Sequence, residues 1–266
     1  MKLVQIAAAF ALAFTPLAVS AQARYSPMLS TSVQRTCQGE VGMTTLLDAT
    51  GQQPLNQPQI ARDTRSFRAT RTGDGYAFEQ GAASPAGDTI LRANVAANGA
   101  VSNAQLSGSA FQAALAASQT PVDVPTLAHS LALEIPERLL VGRTFAVGDQ
   151  YYPEELRHSL IGQMTAAMGL PFPIQGSIDI LYSGESTLNG RRVQVFEGDL
   201  HMEGSGEMQG QVLSISLNGP ARISYDSETG LIVEYRTAQE IELLIGGQPF
   251  TRTQNHDNYS CTIVPQ

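Results

Sequence analysis

Tryptophan is absent from this chain of 266 residues, lysine occurs once, at Lys2, and cysteine twice, at Cys37 and Cys261. Each shortage excludes something. Without tryptophan, a carbohydrate-binding surface built on indole stacking has no basis. With 24 acidic residues against 16 basic ones and no Lys/Arg cluster, the chain is a poor partner for nucleic acid or anionic lipid. Two cysteines without a CxxC spacing, and four histidines scattered at 129, 158, 201 and 256, offer no set of metal ligands. A nucleophile elbow, phosphate-cradling glycine loops and dinucleotide-binding glycines are missing too, so no cofactor is expected. Nothing in the pattern selects a catalytic pair among the carboxylates.

Long hydrophobic runs are also missing, except at the start. The opening "MKLVQIAAAFALAFTPLAVSAQARYS" has a positive residue at Lys2, then apolar residues 3 to 19 broken only by Gln5, Thr15 and Pro16. Ala21-Gln22-Ala23 supplies a small-x-small cleavage site, so residues 1–23 read as a signal peptide. A membrane anchor would need roughly 20 apolar residues without a proline. Lipid attachment would need a cysteine directly after the cleavage site, and Cys37 lies well beyond it. The expected product is one exported domain, residues 24–266, periplasmic or secreted, with no transmembrane segment.

In an oxidising compartment two cysteines most simply form one disulfide. A Cys37–Cys261 bridge would close a loop of about 225 residues, for which chain entropy gives on the order of 5 kcal/mol. Its Cα atoms should lie about 4.4–6.8 Å apart.

The rest reads as mainly β, an α+β chain of antiparallel meander sheets forming a curved half-barrel or a sandwich, with two to three helices packed on the sheet. "RSFRATRTGDGYAFEQ" alternates around Gly73-Asp74-Gly75, and tight turns are expected at Asn98-Gly99, Asn189-Gly190 and Asp226 to Gly230. "SAFQAALAAS" predicts a helix capped by Ser109. "QTPVDVP" predicts a break, with Pro121 and Pro125 excluding regular structure, between two β-rich halves of about 37–120 and 126–264. "TLAHSLALEIPERLL" predicts a helix ended by Pro136. "PEELRHSLIGQMTAAMG" predicts another over 153–169, with Glu154 and Glu155 in its first turn. Its Leu156, Leu160, Met164 and Met168 recur every four residues. With Phe172 of "LPFPI" they form the candidate lining of a ligand cavity, against the simpler reading that this face only covers the sheet.

Two polar clusters compete for attention. "HMEGSGEM" sets His201 near Glu203 and Glu207, and its glycines suggest a hairpin tip. "NHDNYSC" places His256 beside Asp257. On a strand these neighbours would point to opposite faces, and a turn before the last strand is the simpler expectation.

The phrases "IPERLLVGRTFAVGDQY" and "STLNGRRVQVFEG…YDSETGLIVEYR" resemble the exported β-rich domains of Gram-negative bacteria to which no function is assigned. More loosely, the layout resembles half-barrel carriers of the lipoprotein-transport kind, whose curved sheet wraps a helical plug around an acyl-binding cavity. Neither resemblance brings a catalytic residue. The expectation is a periplasmic, non-enzymatic binding or carrier protein for a small apolar molecule. The alternatives are an envelope protein that engages another protein through exposed strands, and a hydrolase with a non-standard site.

Overall fold

The computed structural model describes residues 24–47, 59–118, 121–167, 172–208 and 210–266. The expected signal peptide, residues 1–23, lies outside them, as does Met168. Ten strands are present: β1 (Val33–Leu47), β2 (Gln59–Thr72), β3 (Gly75–Ser84), β4 (Gly87–Val95), β5 (Val101–Ser107), β6 (Gln175–Leu188), β7 (Arg191–Met208), β8 (Gln211–Asp226), β9 (Ile232–Ile245) and β10 (Gln248–Pro265). They form one sheet in the order β5-β4-β3-β2-β1-β10-β9-β8-β7-β6. The sheet is antiparallel, curved and not closed into a barrel. A single sheet realises the half-barrel expectation and not the sandwich.

Local chemistry sets the hairpins. Asn189 (φ 51°) and Gly190 (φ 78°) both adopt positive φ between β6 and β7, the conformation that a two-residue hairpin turn requires. Alternation sets the faces. In β7, Phe196 and Met202 are buried while Glu197 and Asp199 are exposed on the opposite side. That outer side carries cross-strand ion pairs such as Arg68–Glu79 (3.0 Å), Arg92–Glu79 (2.6 Å) and Arg222–Glu197 (2.7 Å). No helix among the described residues is long and apolar enough to cross a membrane.

Every consecutive strand pair is a hairpin neighbour except β5 and β6, which stand at opposite edges. The segment joining them carries α1 (Ser109–Ala117), α2 (Val124–Leu133), a 3₁₀ turn over Pro136–Leu140 and α3 (Glu154–Ala167). α2 packs on β4 and β5, and α3 meets β6. Three sequence expectations change here. Gly108 takes the N-cap position of α1 and makes no side-chain cap. Ser109 instead donates from both N (2.8 Å) and Oγ (2.5 Å) to the Asp88 carboxylate of β4. Those bonds hold the Asp88 carboxyl below its usual range. Pro125 does not exclude a helix but opens one: it sits in the first turn of α2, where its missing N–H leaves no bond unmade. Asp123 caps that helix by accepting from Thr126 N (3.3 Å). The helix ends at Leu133, and Pro136 begins the 3₁₀ turn.

Two apolar clusters fill the covered face. One gathers Tyr151, Phe196 and Tyr225 with residues of β6 to β9; the other gathers Phe67, Phe78 and Leu91 with Ala128 and Ala132 of α2. At the seam, β1 pairs with β10, and Cys37 stands directly opposite Cys261 in that register. The two are disulfide-bonded, with Cα atoms 3.9 Å apart. That is shorter than the expected interval, because directly opposed antiparallel residues already sit about 4.5–5.5 Å apart before a bond draws them closer.

Candidate cavity over the central strands

Strand register explains which side chains meet above the seam. Arg35 of β1 faces Phe67, Phe67 faces Gln80, Gln80 faces Leu91, and Leu91 faces Leu106, one row across five strands. Two residues along, Cys37, Arg65, Ala82 and Thr89 form the next row on the same face. Across the disulfide, Tyr259 of β10 faces Tyr235 of β9. These rows, roofed by Ile135 and Pro136 after α2 and by Leu160 of α3, border a half-open cavity of about 390 Å³. That volume falls within the range of small-molecule sites, about 300–1,000 Å³.

The roof is held by polar contacts at depth. Glu137, fully buried in the 3₁₀ turn, accepts from Arg35 Nε (2.5 Å) and Nη2 (3.0 Å). Tyr225 donates to the Pro136 carbonyl (3.1 Å), and the hydroxyls of Tyr151 and Tyr225 lie 2.5 Å apart. Burial pushes both phenols well above their ordinary range. One turn of chain is therefore tied to β1 by charge and to β8 by hydroxyls.

The remaining wall is aromatic and acidic. Arg65 pairs with Asp63 (3.0 Å) and lies over the Tyr259 ring, 4.1 Å from its centroid. Burial pushes the Tyr235 and Tyr259 hydroxyls up to about 12, and raises Tyr152 as well. Asp257 is raised, first by burial, against the opposing pull of Arg65 and His256. Burial alone raises Glu134, at the C-terminal end of α2.

Of the residues singled out in the sequence, Leu160, Asp257 and the disulfide line this cavity. Leu156 is buried in the neighbouring apolar cluster and covers the sheet. Phe172 belongs to the same cluster, seated over Gly204 and Gly206 of β7. Met164 falls within α3, but its side chain, like Met168, is outside the described residues. Arg35, Glu137, Tyr235 and Tyr259 were not singled out, because their roles depend on registers that link distant parts of the chain.

Both polar clusters lie on strands, not in turns. Residues 201–208 complete β7, where Gly206 leaves room for Phe172: a Cβ there would stand 2.6 Å from the ring. His201 is exposed and hydrogen-bonds Asn218. Residues 255–258 lie inside β10. Asp257 lines the cavity, while His256 points to the other face, 4.0 Å from Glu40.

No family model matches the chain, and no curated protein matches it. Among solved structures, an outer membrane channel from Pseudomonas putida F1 aligns over 89% of this chain and 98% of that one, at 8% identity. The TM-score is 0.20, too low to establish a common fold.

Proposed function

We propose that this is an exported, periplasmic binding or carrier protein, without catalytic activity, that holds a small and largely apolar molecule in the cavity over β1 and β10. The observation that carries the reading is the cavity itself, with apolar walls from Leu91, Leu106, Ile135 and Leu160 and three tyrosines at its sides. Sites of this make-up hold drug-sized ligands by burying most of their surface. The two arginines of the wall are each engaged by a carboxylate, which suits holding a ligand more than transforming one. The leader-like first 23 residues and the disulfide support export.

Recognition of another protein by strand addition has less support at the β6 edge. There Tyr151 N donates to the Ile180 carbonyl and Tyr182 N to the Asp149 carbonyl (both 2.8 Å), so part of that edge is already paired.

Native mass spectrometry of protein gently extracted from its producing cell tests the proposal. A retained small molecule, released by organic solvent and lost in Leu160→Asp, is the expected result. Protein that carries no adduct and binds no apolar probe overturns it.

A further inference from the structure

The cavity's charges do not cancel. Its wall contains two arginines and two carboxylates: Arg35, Arg65, Glu134 and Asp257. Both arginines are engaged from outside this set. Arg35 is gripped at two nitrogens by Glu137, and Arg65 pairs with Asp63. The Glu134 and Asp257 side chains make no hydrogen bond or ion pair among the described residues, although Arg65 and His256 act on Asp257 at longer range. The surplus is negative.

Two further observations have the same sign. Gln80 Oε1, at the cavity wall, and Asp63 Oδ1, beside Arg65, are buried acceptors without a hydrogen-bond partner. The local shortage is therefore of donors. Tyr152, Tyr235 and Tyr259 line the same cavity as the two carboxylates. Tyrosine faces attract cations through the ring quadrupole. An anionic head group would meet the reverse: two engaged arginines and two like charges.

Resting on the binding reading above, we infer that the ligand is a cationic amphiphile, an apolar body ending in an amine or quaternary ammonium group that Glu134 and Asp257 receive beside the tyrosines of the same wall.

Calorimetric titration of the intact protein with decylammonium, decanol and decanoate, below their micelle concentrations and at low salt, tests this. Decylammonium should bind about tenfold or more tighter than decanoate, a difference near 1.4 kcal/mol. In the double variant Glu134→Gln, Asp257→Asn that preference should vanish while decanol still binds as before. Equal binding of all three, or tighter binding of decanoate, overturns the charge assignment and leaves the apolar cavity standing. Binding of none overturns the cavity reading and this inference with it. The ranking on the unaltered protein decides the matter even if the double variant does not fold.

Discussion

Arg35 and Glu137, 102 positions apart in sequence, form a two-pronged ion pair with side chains 5% and 0% exposed. Arg35 also lies over the Phe67 ring at 5.3 Å and donates from Nη1 to Cys37 Sγ at 3.1 Å. Glu137 Oε1 further accepts from Ile232 N at 3.4 Å. A buried pair gains little net stability over well-packed apolar residues, but losing one partner strands the other's charge. Glu137→Leu should therefore destabilise the protein by about 3–5 kcal/mol. Arg35→Met combined with Glu137→Leu should recover most of that loss. Urea unfolding of both variants checks the pattern, and additive losses would contradict it.

Reduction of the Cys37–Cys261 bridge should lower the melting temperature without abolishing the fold. Chain entropy for the 224-residue separation sets an upper value of about 5 kcal/mol. The flanking β1·β10 pairs, from Val33↔Pro265 to Leu47↔Arg252, keep the strands together without it. Thermal melts with and without reductant, or of Cys37→Ser, measure the difference. A fold that collapses on reduction would show that the seam depends on the bond alone.

Gly206→Ala should cost about 1–3 kcal/mol, the usual range for overpacking. Its Cβ would stand 2.6–2.8 Å from Phe172, a buried residue. Removing the ring and its Cγ, by adding Phe172→Ala, should leave only the 2.8 Å approach to Cβ and make the glycine replacement cheaper than in the parent. Comparison of the glycine replacement in the two backgrounds by thermal melt tests whether the ring is what the glycine serves.

The raised carboxyl of Glu134 predicts a particular pH dependence. Burial lifts it above its unfolded value, so the native state binds the proton more readily than the unfolded chain. Its stabilising contribution is complete below the unfolded pKa, about 4.3, and is lost as pH rises through the folded value. Glu134→Gln should thus raise the melting temperature at neutral pH, with the gain shrinking as the solution is acidified towards the ordinary glutamate range. Asp257→Asn should behave alike, since its shift has the same direction and leading cause. A gain that grows on acidification would refute the sign.

What was legible in the sequence was local. Gly73 and Asn189-Gly190 announce their turns because each adopts the positive φ that glycine and asparagine tolerate. Glu154 to Ala167 is a helix because its apolar spacing and first-turn acids are contained within it. The two misread clusters failed for a physical reason. Gly204 and Gly206 look like turn residues but serve a strand that must let Phe172 come close. Asn255 and Asn258 look like turn residues but lie within β10, deep in the register with β1 and β9. Of the cavity wall, the sequence pointed only to Leu160, Asp257 and the cysteines. The Arg35–Glu137 pair and the Tyr235–Tyr259 wall arise from pairings over tens to hundreds of positions, which no local pattern encodes.

The placement of β1 beside β10 also governs how the chain can reach its native state. Strands β1 to β5 form one run of sequence-neighbouring hairpins and β6 to β10 another, and local pairings of that kind form early. The seam between them joins residues more than 200 positions apart, as in Cys37↔Cys261, so its loop-closure entropy is met last. Until β10 docks, β1 and β9 would present long bare edges, the state most open to intermolecular pairing. Synthesis order sharpens this, since β1 must wait for the whole sheet to follow it. A catalyst of thiol oxidation acting after docking would then trap the finished sheet, making the bond a latch on the slowest step.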